Sequence, residues 1–512
     1  MGAENEALRA RAAAAKAEVA HHKGLLSQAE AHLASLQKEL DAISYPISTL
    51  PLEVTVMIFT HCVPASGPAL HYLSADVAPR LLTHVCRRWR HIVLSTPTLW
   101  AKIYINLHAA HNEAEFEEYV KRAAAVPLHV AVRGMTSMAP DDEEAEPTVL
   151  LPAALAEHVE MLGRHCSKIR RLRVDVCPEI ADAMDVELCE PSVPQFDALE
   201  TLEMVGMGSD LFDPPMRMFS CAPRLVHATG SGLSPMGLVL PWAQLEHYSG
   251  SVGPSPAACT RFLECLPNLR RLDLFCAAMA RIDEVVELEV PSQRFIHPNI
   301  ETLATDATFD ILSFLTLPAL KSLEIKRWPA SAASVATIPP FVQRSTVLAT
   351  LRIHCPTSIP AAGDLTDIFK RTPGLDRLEL QSPSRESFDN LFAALSESAG
   401  VLPSLTSLAI INACSTSAWV FTDMMLVLVA AIRKRQSFQQ PPPTMPLRSI
   451  SMEVRRMQSY FWPRQSDLKK RAESMTLPDE DLAFLQQLRQ QGTVLKLGTV
   501  TVHGRKYIPF AF

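Results

Sequence analysis

The residue types that could do covalent or metal chemistry are all present in this chain, but none stands in a working arrangement. His108 and His111 are three apart, the spacing at which two imidazoles share a helix face, yet no carboxylate accompanies them. His21 and His22 are adjacent and point in different directions on a helix, which makes them poor metal ligands. Eleven cysteines are spread without a single C-x-x-C pair, so neither a zinc site nor a thioredoxin-like motif is indicated. Gly206-x-Gly208 and Gly230-x-Gly232 lack the third glycine of a dinucleotide loop, and Pro235 occupies that place in the second. A nucleophile elbow, a P-loop and an H-E-x-x-H pair are absent from the sequence. The expectation is a protein that is not an enzyme, with no catalytic, cofactor-binding or metal-ligating residues. The chemistry left is that of contact, through apolar anchors and charged rows offered to other proteins.

Composition narrows the partners. The net charge is −7 and the pI about 6.2, which gives no electrostatic footprint for nucleic acid. The paired arginines (Arg170-Arg171, Arg270-Arg271, Arg455-Arg456) are scattered and read as solvated faces. The longest apolar run, Met424 to Ile432, is half of what a membrane span needs. The N-terminal stretch carries Glu4, Glu6 and Glu18 and no hydrophobic targeting core, so a cytoplasmic and/or nuclear location is expected. Reduced cysteines buried as small apolar groups fit that setting. At 512 residues the chain exceeds one ordinary core, so several domains or a repeat array must position the contact residues.

The densest set of apolar anchors runs from Tyr45 to Ile105. Leu50-Pro51-x-Glu53 opens a helix, with proline suited to its first turn and Glu53 complementing its positive end. Leu52, Val56, Phe59 and Val63 follow on one face, and a second run puts Leu82, Val85, Trp89 and Ile92 on another stripe beside Arg87, Arg88 and Arg90. Pro97, Leu99 and Trp100 close the segment. This order resembles the F-box, carried by Leu50, Pro51, Glu53, Ile58, Phe59, Val85, Cys86, Arg87, Trp89, Pro97, Leu99 and Trp100. The stretch from Pro64 to Pro79 makes the link between the two helical runs longer than in many F-boxes, and similar long-insert versions occur in mushroom-forming fungi. The resemblance implies docking on the Skp-family adaptor of a cullin–RING ubiquitin ligase. The residues it implicates are Leu50, Pro51, Glu53, Ile58, Phe59, Val85, Cys86, Trp89, Leu99 and Trp100.

Residues 4–44 are free of proline and carry a heptad seam of Leu8, Ala12, Ala15, Val19, His22, Leu26, Ala29, Leu33, Leu36, Leu40 and Ile43. A seam alternating at four and three predicts a left-handed coiled coil and a homodimer through 4–44. Its alanines and His22 weaken the N-terminal half as a pairing surface, and a single helix folded back on its own domain is the alternative.

After Trp100 the pattern gives a strand at Ile103 and Ile105, a helix over Glu113–Ala125 and a strand through Leu128, Val130 and Val132. The acidic, proline-bounded stretch 139–147 reads as a disordered loop. Then L-x-x-L-x-L recurs, often after proline, from Ile169-Leu172-Val174 through Leu269-Leu272-Leu274 and Leu375-Leu378-Leu380 to Leu497-Val500-Val502. Degenerate copies stand at Leu225 and Leu245. Intervals mostly of about 20 to 31 residues, widening to about 42 and 50 near the end, with helical stretches between copies, describe an irregular leucine-rich-repeat solenoid with a parallel sheet. It lacks most of the asparagine ladder usual after the strand, Asn412 being one loose match, and an ordinary α/β domain is the alternative. The fold class expected is therefore α/β: coiled-coil helix 1–44, small all-helical F-box-like unit 45–104, and solenoid 105–512.

Within each copy the residues flanking the second leucine point away from the core, because strand side chains alternate. That row supplies the candidate client-binding face: Arg171, Arg173, Glu203, Arg271, Asp273, Glu324, Arg352, Arg377 and Glu379. The function expected is substrate recognition for a ubiquitin ligase, with an unidentified protein client and no cofactor. A scaffold whose F-box is only a structural remnant is the alternative.

Overall fold

The computed structural model describes residues 2–512 except 43–45, 65–76, 108–112, 135–151, 177, 190–194, 206–214, 232–234, 252–255, 275–293, 307–310, 329–334, 355–362, 384, 398–399, 416–420, 438–446, 457–476, 501–506 and 510–512. Most of the long interhelical insert, the acidic stretch 139–147, His108, His111, Gly206, Gly208 and the proline-rich stretch 439–443 therefore lie outside the described residues. The chain divides into two compact units, Met1–Ala101 with Glu118–Val126, and Lys102–Glu117 with Pro127–Phe512.

In the first unit, α1 (Gly2–Ala42) is one unbroken helix. Every residue from 5 to 39 is exposed, the seam from Leu8 to Leu36 included, so this stretch is not folded back on its own domain. Three shorter helices follow: α2 (Leu52–Cys62), α3 (Arg80–Thr83) and α4 (Arg87–Leu94). The sequence pattern joined the last two into one amphipathic run. The structure breaks that run at Cys86, whose extended backbone (φ −157, ψ 168) caps α4 while its Sγ accepts the Trp89 backbone N–H at 3.5 Å. Leu82 and Ile92 are buried as expected, but the break turns Val85 outward.

Among the described residues, the second unit is organised by one sheet of fifteen strands whose spatial order is their order in the chain. It begins with β1 (Lys102–Asn106), β2 (Leu128–Gly134), β3 (Ile169–Val176), β4 (Thr201–Val205), β5 (His227–Ser231), β6 (His247–Gly250) and β7 (Arg271–Leu274). Eight further strands continue it from Thr302–Thr305 to Tyr507–Pro509, and only the last pairing is antiparallel. Helices return the chain between many strands, among them α5 (Glu113–Ala123), α6 (Pro152–Gly163), α7 (Pro178–Leu188) and α8 (Pro256–Glu264). Strand after strand in parallel with returning helices is a leucine-rich-repeat type of solenoid, not an ordinary α/β domain with crossed connections.

Register explains the motif. Leu172, Leu202, Ala228, Tyr248, Leu272, Leu303, Leu323, Leu351, Leu378 and Leu408 are consecutive cross-strand partners, all buried. The leucine three residues earlier closes a turn: Leu225, Leu269, Leu320, Leu375 and Leu405 each donate their backbone N–H to the residue three before. Pro223, Pro267, Pro318, Pro373 and Pro403 sit second in those turns, where a preset φ favours the bend. The last copy is framed differently from the sequence reading: Leu495 and Leu497 pair with Ile450 and Met452. Gly492, at φ +92, ends the preceding helix (Asp479–Gln490) and so starts that strand earlier.

A side-chain ladder replaces the asparagines missing after the strand. Gln244 donates to the carbonyls of Ala222 and Leu225, Asn268 to Ala243 and Asn299 to Pro267, so each amide satisfies backbone of the preceding repeat. On the helical side Arg435 is buried and its guanidinium donates to the carbonyls of Val401 and Leu402 at 3.1 and 2.6 Å.

The two degenerate copies stay in register by aromatic filling. Tyr248 occupies a leucine position and packs edge-on against Phe262 at 4.9 Å, with Trp242 at 5.0 Å from the same ring. Room for this comes from Gly250, where an added Cβ would lie 2.7 Å from the Tyr248 hydroxyl and 2.8 Å from the Gly230 carbonyl. Gly250→Ala should therefore lower stability by about 1–3 kcal/mol through overpacking. Gly374→Ala, where an added Cβ meets nothing within 4 Å, serves as the neutral control in denaturant unfolding of the whole chain.

Candidate functional site

Two surfaces carry the residues singled out for contact, one in each unit. In the helical head, Phe59, Leu99 and Trp100 are fully or nearly fully buried, so these three are unavailable to a partner and hold the unit together instead. Trp100 donates its Nε1–H to the Val93 carbonyl at 2.9 Å, lies edge-on to Tyr119 and carries the Arg122 guanidinium 4.3 Å above its ring. Trp89 is half-buried, edge-on to Phe59 at 4.8 Å. Arg88 and Arg90, beside the second apolar stripe in the sequence, donate to the carbonyls of Leu50 and Thr83 at 3.1 and 2.8 Å.

The remaining anchors face out. Pro51, Glu53, Ile58, Val85 and Cys86 are exposed, and Leu50 is intermediate. They are joined by Leu52, Val54, Met57 and Leu81, which sequence reasoning did not assign to a contact surface. The signal was present: α2 is apolar on nearly every side, and a helix in so small a unit has only one side to bury. That side holds Thr55 and Phe59, leaving Met57 63% and Val85 55% exposed. Large apolar groups left open at this density mark a protein-contact surface.

In the solenoid, the candidate residues all lie on the sheet face opposite the leucines, and most are bonded to one another. Arg173 pairs with Glu203 across β3 and β4. Asp273 accepts from Arg271 at 3.1 Å and lies 3.3 Å from His247 Nε2. Farther along, Arg352 sits between Glu324 (3.3 Å) and Glu379 (3.1 Å), while His354 contacts Glu324 at 3.0 Å and Gln381 donates to Glu379 at 2.9 Å. Burial would raise the Asp273 pKa, but the bonds from His247 and Arg271 outweigh it and hold the carboxyl below its ordinary value.

Arg173 and Glu203 stay equally open, at 39% and 40%, but elsewhere the charges sort by depth. The carboxylates sink, with side chains of Asp273 and Glu379 only 8% and 6% exposed, while Arg271 and Arg377 beside them stay 52% and 51% exposed. The outermost cross-strand row runs Lys102, His129, Arg171, Thr201, His227, His247, Arg271, Thr302, Ser322, Thr350, Arg377, Ser407 and Ser449. It contains bases and hydroxyls and no acid. His129 reports the resulting field: burial lowers its pKa first, and the charges of Arg171 and Lys102 lower it further. Sequence reasoning saw charges of both signs mixed on this face and could not tell that Asp273 and Glu379 would be the covered ones. At the sheet edge, a polar groove of about 490 Å³ is lined by Gln244, Asn268 and Asn299, whose amides are bonded to backbone, and by Glu246, Arg270 and Glu301. Among the described residues, no group of His, Cys, Asp and Glu is placed to hold a metal, and no helix is long and apolar enough to cross a membrane.

Arg352 is thus a structural cation between two carboxylates rather than a free contact. Arg352→Ala should destabilise the chain by about 1–2 kcal/mol, a buried-pair cost reduced by partial solvent access. Arg352→Lys should recover part of the loss, both read from denaturant unfolding midpoints. Arg171→Gln, on an exposed position of the outer row, should change the midpoint by less than about 0.5 kcal/mol.

No curated protein matches the chain. Among solved structures, the leucine-rich repeat-containing protein LegL7 from Legionella pneumophila is similar at 12% sequence identity and a TM-score of 0.31, over 67% of this chain and 100% of that one. The family model described as F-box-like matches residues 47–106. The helical head is therefore F-box-like over residues 47–106, and the repeats that follow it in the chain form a leucine-rich-repeat type of sheet by their own strand order and register.

Proposed function

We propose that this protein is a non-enzymatic substrate-recognition adaptor, with its F-box-like head docking the Skp-family subunit of a cullin–RING ubiquitin ligase. The open sheet face of the solenoid holds a protein client. In this reading 1–44 is an association helix, 45–104 the ligase-docking unit and 105–512 the client-binding unit, working in the cytoplasm or nucleus. The observation that carries it is the head's pairing of a closed core with an open apolar exterior. Phe59, Leu99 and Trp100 fill the inside, while Leu52, Val54, Met57, Ile58, Leu81 and Val85 remain uncovered. A remnant kept only as a structural cap has no use for that second set.

Docking falls to Pro51, Glu53, Ile58, Val85 and Cys86, extended by Leu52 and Met57, with Leu50 and Trp89 at the margin. Ile58→Asp with Val85→Asp leaves the buried core untouched and should reduce capture of the purified Skp-family adaptor by at least about thirtyfold. Undiminished capture by a folded double variant overturns the docking surface. Failure of the wild-type chain to bind that adaptor favours the scaffold alternative.

The client face, on this reading, is chosen for an acidic segment. Asp273 and Glu379 are covered and the outer row holds no acid, so the most open charges of that row are Arg171, Arg271 and Arg377. Changing these three to glutamine removes the charge and keeps an N–H donor on each side chain. Client capture from cells should fall steeply in that variant while adaptor capture and the unfolding midpoint hold. Clients that remain bound would place recognition elsewhere.

A further inference from the structure

We infer that α1 pairs with α1 of a second copy of this chain as an antiparallel coiled coil centred near Gly24. This inference is independent of the adaptor reading, since it rests on the helix alone. The helix is unbroken over Gly2–Ala42, and its seam is uncovered, with Leu8, Val19, Leu26, Leu33 and Leu36 between 43% and 66% exposed. A helix apolar along one stripe and solvated all round needs a partner for that stripe.

Volume decides the direction. The a positions are Ala12, Val19, Leu26 and Leu33, and the d positions are Leu8, Ala15, His22, Ala29 and Leu36. In a parallel pair each meets its own copy. Ala12, Ala15 and Ala29 would then face alanines across unfilled layers, and His22 would face His22. Turned antiparallel about Gly24, every small residue meets a large one. Ala12 faces Leu36 of the second copy, Ala15 faces Leu33, and Val19 faces Ala29. His22 stacks on Leu26. The alanines and the histidine that weaken a parallel seam become the complement of the leucine-rich half.

Charge gives the same answer independently. In the antiparallel register Lys16 lies against Glu30 of the second copy, Arg11 against Glu39, and Glu18 against His32. Leu25, an exposed leucine flanking the seam, meets its own copy at the dyad. Lys23 against Lys23 is the one like-charge contact. The parallel register instead sets Arg11 against Lys16, with Glu4–Arg9 and Glu18–Lys23 as its complementary pairs. The coil would run about 50 Å at 1.5 Å per residue and carry the two F-box-like heads at opposite ends.

One exposed substitution separates the two directions. In sedimentation equilibrium of the full chain, Lys16→Glu should weaken the dimer about tenfold, because both symmetry-related contacts with Glu30 turn repulsive. Adding Glu30→Lys should restore it. In a parallel coil the same Lys16→Glu change removes repulsion from Arg11 and tightens the dimer. A tighter or unchanged dimer overturns the antiparallel assignment, and a wild-type chain that stays monomeric at micromolar concentration overturns pairing altogether. Adaptor capture plays no part in these readouts, so failure here and failure of the ligase reading are distinguishable.

Discussion

No single repeat of this chain can bury its own apolar face, and the solenoid depends on that constraint. Each strand offers leucines to one side only, and they become buried when neighbouring strands place theirs in register. The column from Leu172 to Leu408 is continuous across ten strands because every pairing keeps the same frame. The constraint tolerates substitution only if volume is conserved. Where Ala228 and Gly230 remove it, Tyr248 and Phe262 put it back. The turn prolines and the three amides from Gln244 to Asn299 serve the same end by fixing where each strand begins.

The face opposite the leucines inherits its chemistry from this regularity. Parallel strands in one register bring the same motif position of every repeat side by side, so charges far apart in sequence become neighbours. Glu324, Arg352 and Glu379 come from three repeats and form one ion cluster. Where arginines lie over Asp273 and Glu379, the charge a partner meets differs from the charge counted in the sequence. A chain of net charge −7 thereby presents an outer row with no acid in it.

The helical head works on the opposite principle. Its core is small, built around Phe59, Trp89 and Trp100, and Arg88 and Arg90 stitch it through backbone carbonyls. So small a core leaves the outer side of α2 uncovered. The same shortage of burial that limits the unit's own stability supplies its contact surface.

The sequence by itself determined the α/β class, the long N-terminal helix, the F-box-like order of residues and the repeat. Those features are written in periodicity: heptads for α1, L-x-x-L-x-L for the strands, proline before the turn. Only the tertiary structure decided which anchors face out. Phe59 and Ile58 are adjacent, equally apolar and equally part of the motif, yet one is buried and the other open, because the second and fourth helices meet on one side only. It also moved the last repeat to Leu495, broke the second helical run at Cys86 and paired Arg352 with two carboxylates. Each of those outcomes depends on what lies across a gap of many residues, and local spacing carries no information about that.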